Sequence, residues 1–354
     1  MFYLDLNLSH IATAKQIHFN KFKCYVFRRI GLTRCNLPKG NCSICDSSLG
    51  SISVDSGIQT FLMDQKNLSD ILIGNPSTLL EVSDRFWNSL FPSYNRQTWG
   101  PYFNKKHISD NYAGSYKTQA KAVFKIINEL KNVLDYNWFT NKNNKHYNAY
   151  MLSESLDRNT CTYCNRSYTS TVILKSKGQL ITRPTLDHWF PKSEFPLLAV
   201  SFQNLIPSCY SCNSSVKGAV QLDLSKHIHP YVDSTQNTDF QFCYFYSTKL
   251  DRYRIFIQDT PYRGTKSKDT LKSMYVDEIY NTHQKELEEL ISIKKNYSKS
   301  YIDKMHKLLG QKIPKGEVYR MLFGVYYENT DFHKRPLSKF KYDILKQLDM
   351  VSDF

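Results

Sequence analysis

No run in this 354-residue chain approaches the apolar length that crosses a bilayer. Its first residues lack the basic segment, apolar stretch and small-residue cleavage site of a leader. The expectation is a soluble, cytoplasmic protein with no membrane partner. Also missing are a Walker-type phosphate loop, a dinucleotide-binding glycine run, a Ser-His-Asp ordering and internal repeats. If energy or sensing by nucleotide is involved, another subunit must bring it. Disulfides are not expected either. The chain is long enough to bury a core without cross-links, the setting is reducing, and nine is an odd number of cysteines.

What is present begins with charge. A formal +15 suits a polyanionic partner, because clustered cations gain affinity by releasing phosphate counterions. Lysine outnumbers arginine 34 to 13, however, and Asn, Tyr, Ile and Ser are plentiful, as an A/T-biased coding sequence would give for any function. Charge therefore permits nucleic acid without specifying it.

The coarse class is α+β. The first hundred residues carry no clear periodicity: "HFNKFKCYVFRRI" reads equally as strand or helix, and "CNLPKGNCSICDSSLGS" is rich in turn residues. From Ser115, Ala122, Phe124, Ile126, Ile127, Leu130, Val133 and Leu134 recur at helical spacing, until "TNKNNKHYN" interrupts as a polar loop. Two hairpins are expected, one turning at "KSKG" and one joining "FQFCYFYS" to "DRYRIFIQ" through "TKLD". "CNSSVKGAVQL" reads as a short helix opened by its Asn. Beyond Lys266, Leu271, Met274, Tyr275, Ile279, Leu287, Leu290 and Ile291 fit helices, and "IPKGEVYRMLFGVYY" and "RPLSKFKYDILKQL" suggest two more with Pro near their starts.

The densest chemistry lies between "CTYC" and "CYSC". Cys161, Cys164, Cys209 and Cys212 offer four soft donors from two tight turns, the commonest way to hold a tetrahedral structural zinc. Free buried thiols are the plain alternative. Structural zinc has no use for "LDHWFPKS". Asp187 and His188 are adjacent, so at a strand end their side chains point to opposite sides. Asp187 offers a hard oxygen to a divalent cation, and an imidazole can take a proton from water near neutral pH. Asn213 follows the last cysteine and can give an amide oxygen to the same cation, or merely cap a helix. Asn204 can stabilise a turn, and Lys217, four residues beyond Asn213, can meet a phosphate. A second set, Cys24, Cys35, Cys42 and Cys45, has irregular spacing and reads as a second zinc site or as scattered core cysteines. His227 and His229, two apart, read as satisfied surface or packing residues ahead of a ligand pair, and Arg252 and Arg254 as part of an ordinary half-exposed strand or a phosphate contact.

In order, "CTYC", "LDHWFPKS" and "NLIPSCYSCNSSVKG" resemble an HNH endonuclease of the His-Me finger, or ββα-metal, superfamily over residues 159–232. "HPYVD" at 229–233 resembles the segment that often follows the motif. The resemblance extends to HNH subunits of bacterial anti-phage systems such as Septu, which work beside an ATPase. It implies a ββα-metal unit with a four-cysteine zinc, embedded between largely helical flanks. His188 matches the general base, Asp187 the metal-binding acid, Asn204 the residue fixing the loop around the base, and Asn213 the last metal ligand. It also implies Mg²⁺ or another divalent cation at the reacting phosphate, and nucleic acid as substrate, DNA ahead of RNA. Two positions depart from the pattern: the final residue is Asn and not His, and Lys217 lies four residues after it where C-N-x-x-K-G places three. The implied organisation is an N-terminal region at 1–114, a helical lead-in at 115–158, the nuclease unit at 159–232, and a hairpin with C-terminal helices at 233–354. A non-catalytic, zinc-dependent nucleic-acid-binding module or adaptor is the alternative, and it has no need of Asp187 beside His188.

Overall fold

The structure, a computed structural model, describes residues 3–32, 35, 37–103, 115–174, 176–218, 220–234, 240–259, 265–297, 300–309 and 313–351. The N-terminal region, unreadable by periodicity, is helical. Helix α1 (Ser9–Arg29) ends on Arg28 and Arg29, cations suited to the negative end of the helix dipole. Helices α2 (Ser56–Met63), α3 (Gln65–Ile73) and α4 (Pro76–Leu90) each start at a side-chain cap. Asp55 accepts from Gly57 N, Asp64 from Asn67 N, and Asn75 from Thr78 N, with Pro76 opening α4.

Helix α5 (Ser115–Val133) matches its expectation in position but not in every facing residue. Val123, Ile126, Ile127, Leu130 and Val133 are buried, whereas Ala122 is exposed. Short helices α6 (Tyr136–Thr140) and α7 (Ala149–Leu156) flank the polar loop and are capped by Asp135 and Asn148. Both expected hairpins form: β1 (Val172–Leu174) with β2 (Gln179–Thr182), whose turn holds Gly178 at φ 60°, and β5 (Phe240–Ser247) with β6 (Arg252–Asp259). Between them, β3 (Thr185–His188) pairs antiparallel with β4 (Leu205–Ser208), a strand not anticipated from the sequence.

The C-terminal part is helical: α8 (Thr265–Ser273), α9 (Val276–Tyr280), α10 (Gln284–Asn296), α11 (Tyr301–Leu308), α12 (Lys315–Phe323) and α13 (Ser338–Gln347). The helical run expected through Tyr275 is broken there. Tyr275 is left-handed at φ 48° and mostly exposed, so it separates α8 from α9 instead of joining their apolar face. Buried apolar residues from Leu4 to Val351 form one continuous cluster, shared by the N-terminal, central and C-terminal stretches. Among the described residues no helix is long and apolar enough to cross a membrane.

Helix α13 holds the β5–β6 hairpin through side chains. The Asp343 carboxylate accepts from Phe242 N at 2.9 Å and from the buried Lys339 ammonium at 2.9 Å, while Gln347 bonds both Tyr244 N and Tyr244 O at 2.9 Å. Asp343→Ala leaves a buried ammonium and a buried N–H without their partner, and removal of one member of a buried ion pair costs about 3–5 kcal/mol. Chemical denaturation should register a loss of that order, and an unchanged unfolding midpoint would contradict this role.

Candidate active site

Strand β3 is buried along Leu186, Asp187 and His188, and pairs Asp187 with Ile206 and His188 with Leu205. After His188 the chain leaves on a loop that returns at Asn204. That loop is fixed by one side chain. Asn204, fully buried, accepts from Phe190 N at 2.7 Å and donates to Phe190 O at 3.1 Å and Leu198 O at 2.9 Å, while its own carbonyl accepts from Trp189 N at 3.0 Å. An amide suits this position because it supplies both acceptor and donors to a backbone that has no ladder of its own.

The loop brings Ala199 O to 2.8 Å from His188 Nε2. A carbonyl only accepts, so Nε2 carries the proton and the lone pair of the neutral ring lies on Nδ1. Burial pushes the His188 imidazole down to about 4, against the Ala199 bond, with Lys192 and Lys217 adding to the fall. The ring is therefore neutral at physiological pH. Tyr136 packs on it at 4.6 Å and 65°, and the exposed Lys192 lies 4.9 Å over the Tyr136 ring.

Asp187 points to a different set of partners. Tyr163, the residue before the second cysteine of "CTYC", donates its hydroxyl to Asp187 Oδ2 at 2.5 Å, and Lys217 Nζ stands 3.3 Å from Oδ2 and 3.4 Å from Oδ1. Burial pushes the Asp187 carboxyl up from its usual range, while Lys217 and Tyr163 pull against that rise. Lys217 is 2% exposed and also donates to His188 O at 2.8 Å. The expected phosphate contact from Lys217 is thus not what this geometry provides: its ammonium is enclosed as the counter-ion of Asp187. The solvent-facing lysine beside His188 is Lys192, in "FPKS", which sequence reasoning passed over.

Residues 211–217 form a π-type helical segment closed by Gly218 at φ 45°, with Gly218 N bonded five residues back to Asn213 O at 3.0 Å. An extra residue in a helix is commonly absorbed in this wider turn. The four-residue step from Asn213 to Lys217 is taken up in this way, and Lys217 still reaches Asp187. Asn213 lies inside the segment and does not open it as a cap. Its side chain is half-buried and makes no hydrogen bond among the described residues.

Both cysteine sets are assembled. The donor atoms of Cys161, Cys164, Cys209 and Cys212, and those of Cys24, Cys35, Cys42 and Cys45, lie within 4.8 Å of one another in each set. Thiolates around a tetrahedral zinc at about 2.3 Å stand about 3.8 Å apart. Cys164 Sγ to Cys209 Sγ is 4.0 Å, Cys24 Sγ to Cys42 Sγ 3.7 Å, and Cys35 Sγ to Cys45 Sγ 3.6 Å. Backbone N–H groups of Arg166, Cys212 and Cys35 point to the sulfurs of Cys164, Cys209 and Cys45 and favour the thiolate form. Each set can hold zinc, and the irregular spacing of the N-terminal one is closed by the turn of α1 that carries Cys24. That set borders a cavity of about 510 Å³ lined by Lys21, Lys23, Phe27 and Leu32, none of which belongs to 159–232.

His227 and His229 do not join either cysteine set. His229 is fully buried 4.7 Å from the Trp189 ring, and His227 accepts from Asp223 N at 2.9 Å. His18 buttresses the site. On α1, its Nε2 donates to Val200 O at 2.7 Å, one residue beyond the carbonyl that holds His188. No periodicity flags His18, whereas Tyr163 is flagged by its place inside a cysteine knuckle.

Elemental analysis of the purified chain should find two zinc ions, with Cys212→Ser losing one and Cys42→Ser the other; a single zinc would exclude the N-terminal set. Lys217→Ala should destabilise the fold by about 3–5 kcal/mol, because it leaves Asp187 buried and unpaired. Unchanged stability in denaturant titration would count against the counter-ion role.

No family model matches the chain. Protein ea31 of Escherichia phage lambda is similar to it, 36% identical over 58 residues, which are 16% of this chain. The chain spans about one fifth of that relative's length. No solved structure matches.

Proposed function

We propose that the chain is a metal-dependent HNH endonuclease that hydrolyses phosphodiester bonds, in DNA ahead of RNA, as the nuclease effector of an anti-phage system working beside an ATPase. One observation carries the reading: His188 is held by its Nε2 on a loop carbonyl, which leaves a basic Nδ1 at the end of a strand followed by β4 and a helical segment. The bond at Nε2 would satisfy a packing ring as well; the nuclease reading adds a use for the Nδ1 lone pair that this tautomer leaves on the residue next to Asp187.

In this reading His188 Nδ1 takes a proton from the attacking water. Burial alone makes His188 a weak base, but the negative phosphate favours the imidazolium and raises its affinity for the proton as substrate enters. Asn204 keeps the loop, and hence the ring, in place. Lys192, exposed beside His188, draws the phosphate in.

Asp187 and Asn213 would hold the divalent ion. The test of that set is the chemistry of its donors. Asp187 Oδ1 has Lys217 as its nearest donor only at 3.4 Å, so it keeps lone-pair capacity, and the Asn213 amide is not committed to a hydrogen bond among the described residues. Two oxygen donors fit Mg²⁺, which keeps several waters and takes further oxygens from phosphate. Bound there, the ion would neutralise charge on the scissile phosphate. Lys217 offsets the charge of Asp187, so the protein contributes little net charge to the ion. The formal +15 of the chain supports a polyanionic substrate.

Native chain and His188→Ala should be compared on supercoiled plasmid and on RNA with Mg²⁺. Loss of a general base lowers the rate by about 10²–10⁴-fold. Cleavage by the variant at the native rate would overturn the nuclease reading, and binding retained in both with no cleavage by either would favour the non-catalytic module.

A further inference from the structure

The β5–β6 hairpin has two chemically distinct faces. Its ladder pairs Gln241 with Gln258, Cys243 with Phe256, Phe245 with Arg254 and Ser247 with Arg252 on one face, and Phe242 with Ile257, Tyr244 with Ile255 and Tyr246 with Tyr253 on the other. The second face packs inward away from the turn, where Ile255 is buried and the Phe242 ring lies 4.2 Å from Tyr280 and 5.7 Å from Phe340, while Tyr246 near the turn is exposed. The first face is open toward the hairpin turn and closed at Cys243, which is buried. Phe245 is 51% exposed there, with its ring 5.7 Å from Phe256 at 62°, and Arg252 is exposed next to Ser247.

This outer face carries amides, two phenyl rings and two guanidinium groups, and no carboxylate. Among the described residues neither Arg252 nor Arg254 pairs with an acid. An exposed phenylalanine directly opposite such an arginine is poorly used in water. A protein partner would have to bring its own acids to meet both guanidinium groups, and a duplex keeps its bases stacked away from a phenyl ring. An unpaired strand satisfies both groups at once, since its bases stack on aromatic faces and its phosphates meet arginine.

We propose that the outer face of the β5–β6 hairpin is a binding platform for single-stranded nucleic acid, with Phe245 and Phe256 stacking bases and Arg252 and Arg254 holding phosphates. The proposal names a substrate form for the nuclease reading above, yet it stands on the hairpin alone.

The test uses the full chain carrying His188→Ala, without added divalent ion, so that it reads binding whether or not the protein cleaves. Fluorescence anisotropy would follow a labelled oligothymidylate, the matching oligouridylate and a duplex of equal length. Phe245→Ala and Phe245→Leu should each weaken single-strand binding, with a lost stack being worth roughly 5- to 100-fold. Arg252→Ala with Arg254→Ala should lower the salt slope by about 1.4, from two phosphate contacts. Unchanged affinity in the Phe245 variants would overturn the proposal, as would equal weakening of single strand and duplex. The thymidylate and uridylate arms decide between DNA and RNA. Phe245→Leu keeps apolar bulk at an exposed site, so a loss seen there is a loss of the ring and not of the fold.

Discussion

The bond between His188 Nε2 and Ala199 O is the constraint around which the central region is built. A buried imidazole with neither nitrogen engaged would cost about 1–3 kcal/mol and leave the tautomer undefined. The carbonyl that prevents this belongs to a loop without ladder bonds of its own, so the loop must be immobilised by other means. Asn204 does so from within by holding Phe190 and Leu198, and His18 does so from outside by holding Val200. Helix α1 is therefore part of the support of the site: His18 and Phe22 pack with Phe139, Tyr147 and Phe202 in one aromatic group beneath the loop.

The central cysteine set is tied into the same support. Tyr163 leaves its knuckle to reach Asp187, so a displacement of Cys161 or Cys164 would move the donor of a 2.5 Å bond to the carboxylate. From the other side the C-terminal helices grip that knuckle. Tyr280 donates to Cys164 O at 2.6 Å, Asn165 donates to Phe332 O at 3.0 Å and accepts from Leu337 N at 2.8 Å, and Thr160 donates to His333 O at 2.8 Å. Metal binding and folding are coupled wherever the ligands come from distant segments. Zinc held by this set would extend that coupling from residue 161 to residue 337, well beyond the stretch that contains the sulfurs.

What the sequence revealed and what it hid follow from the range of the forces involved. The cysteines, the Asp187–His188 pair, Asn204 and both hairpins were legible because spacing, turn residues and alternation are local signals. Strand β4 was not, because Pro207 argues against a paired strand, and it is tolerated opposite Leu186 in a ladder of only four residues. Helix α1 was hidden although Ile11, Ala14, His18, Phe22, Tyr25 and Val26 share one face, because that face includes a histidine and an alanine while the apolar Ile17 lies off it and is exposed. Ala122 was misplaced because a methyl group says little about which side faces in. Tyr275 was misplaced because an aromatic residue in left-handed backbone has no sequence signature. The partner of Lys217 depended on a widened helical turn that spacing rules for α-helices do not include.

The two lysines of the site show why burial matters more than position in a motif. Lys217 follows Asn213 by about one turn and has the charge a phosphate wants, but at 2% exposure any phosphate that reached it would first have to be stripped of water and brought against a carboxylate. Its charge is already matched by Asp187, so it attracts no second anion. Lys192 is in solvent, over the Tyr136 ring that packs on His188, and its charge is felt by the imidazole. Of the two lysines, Lys192 is the one whose charge faces solvent near His188. The interior cation stabilises the scaffold, and the exterior one stays open to solvent.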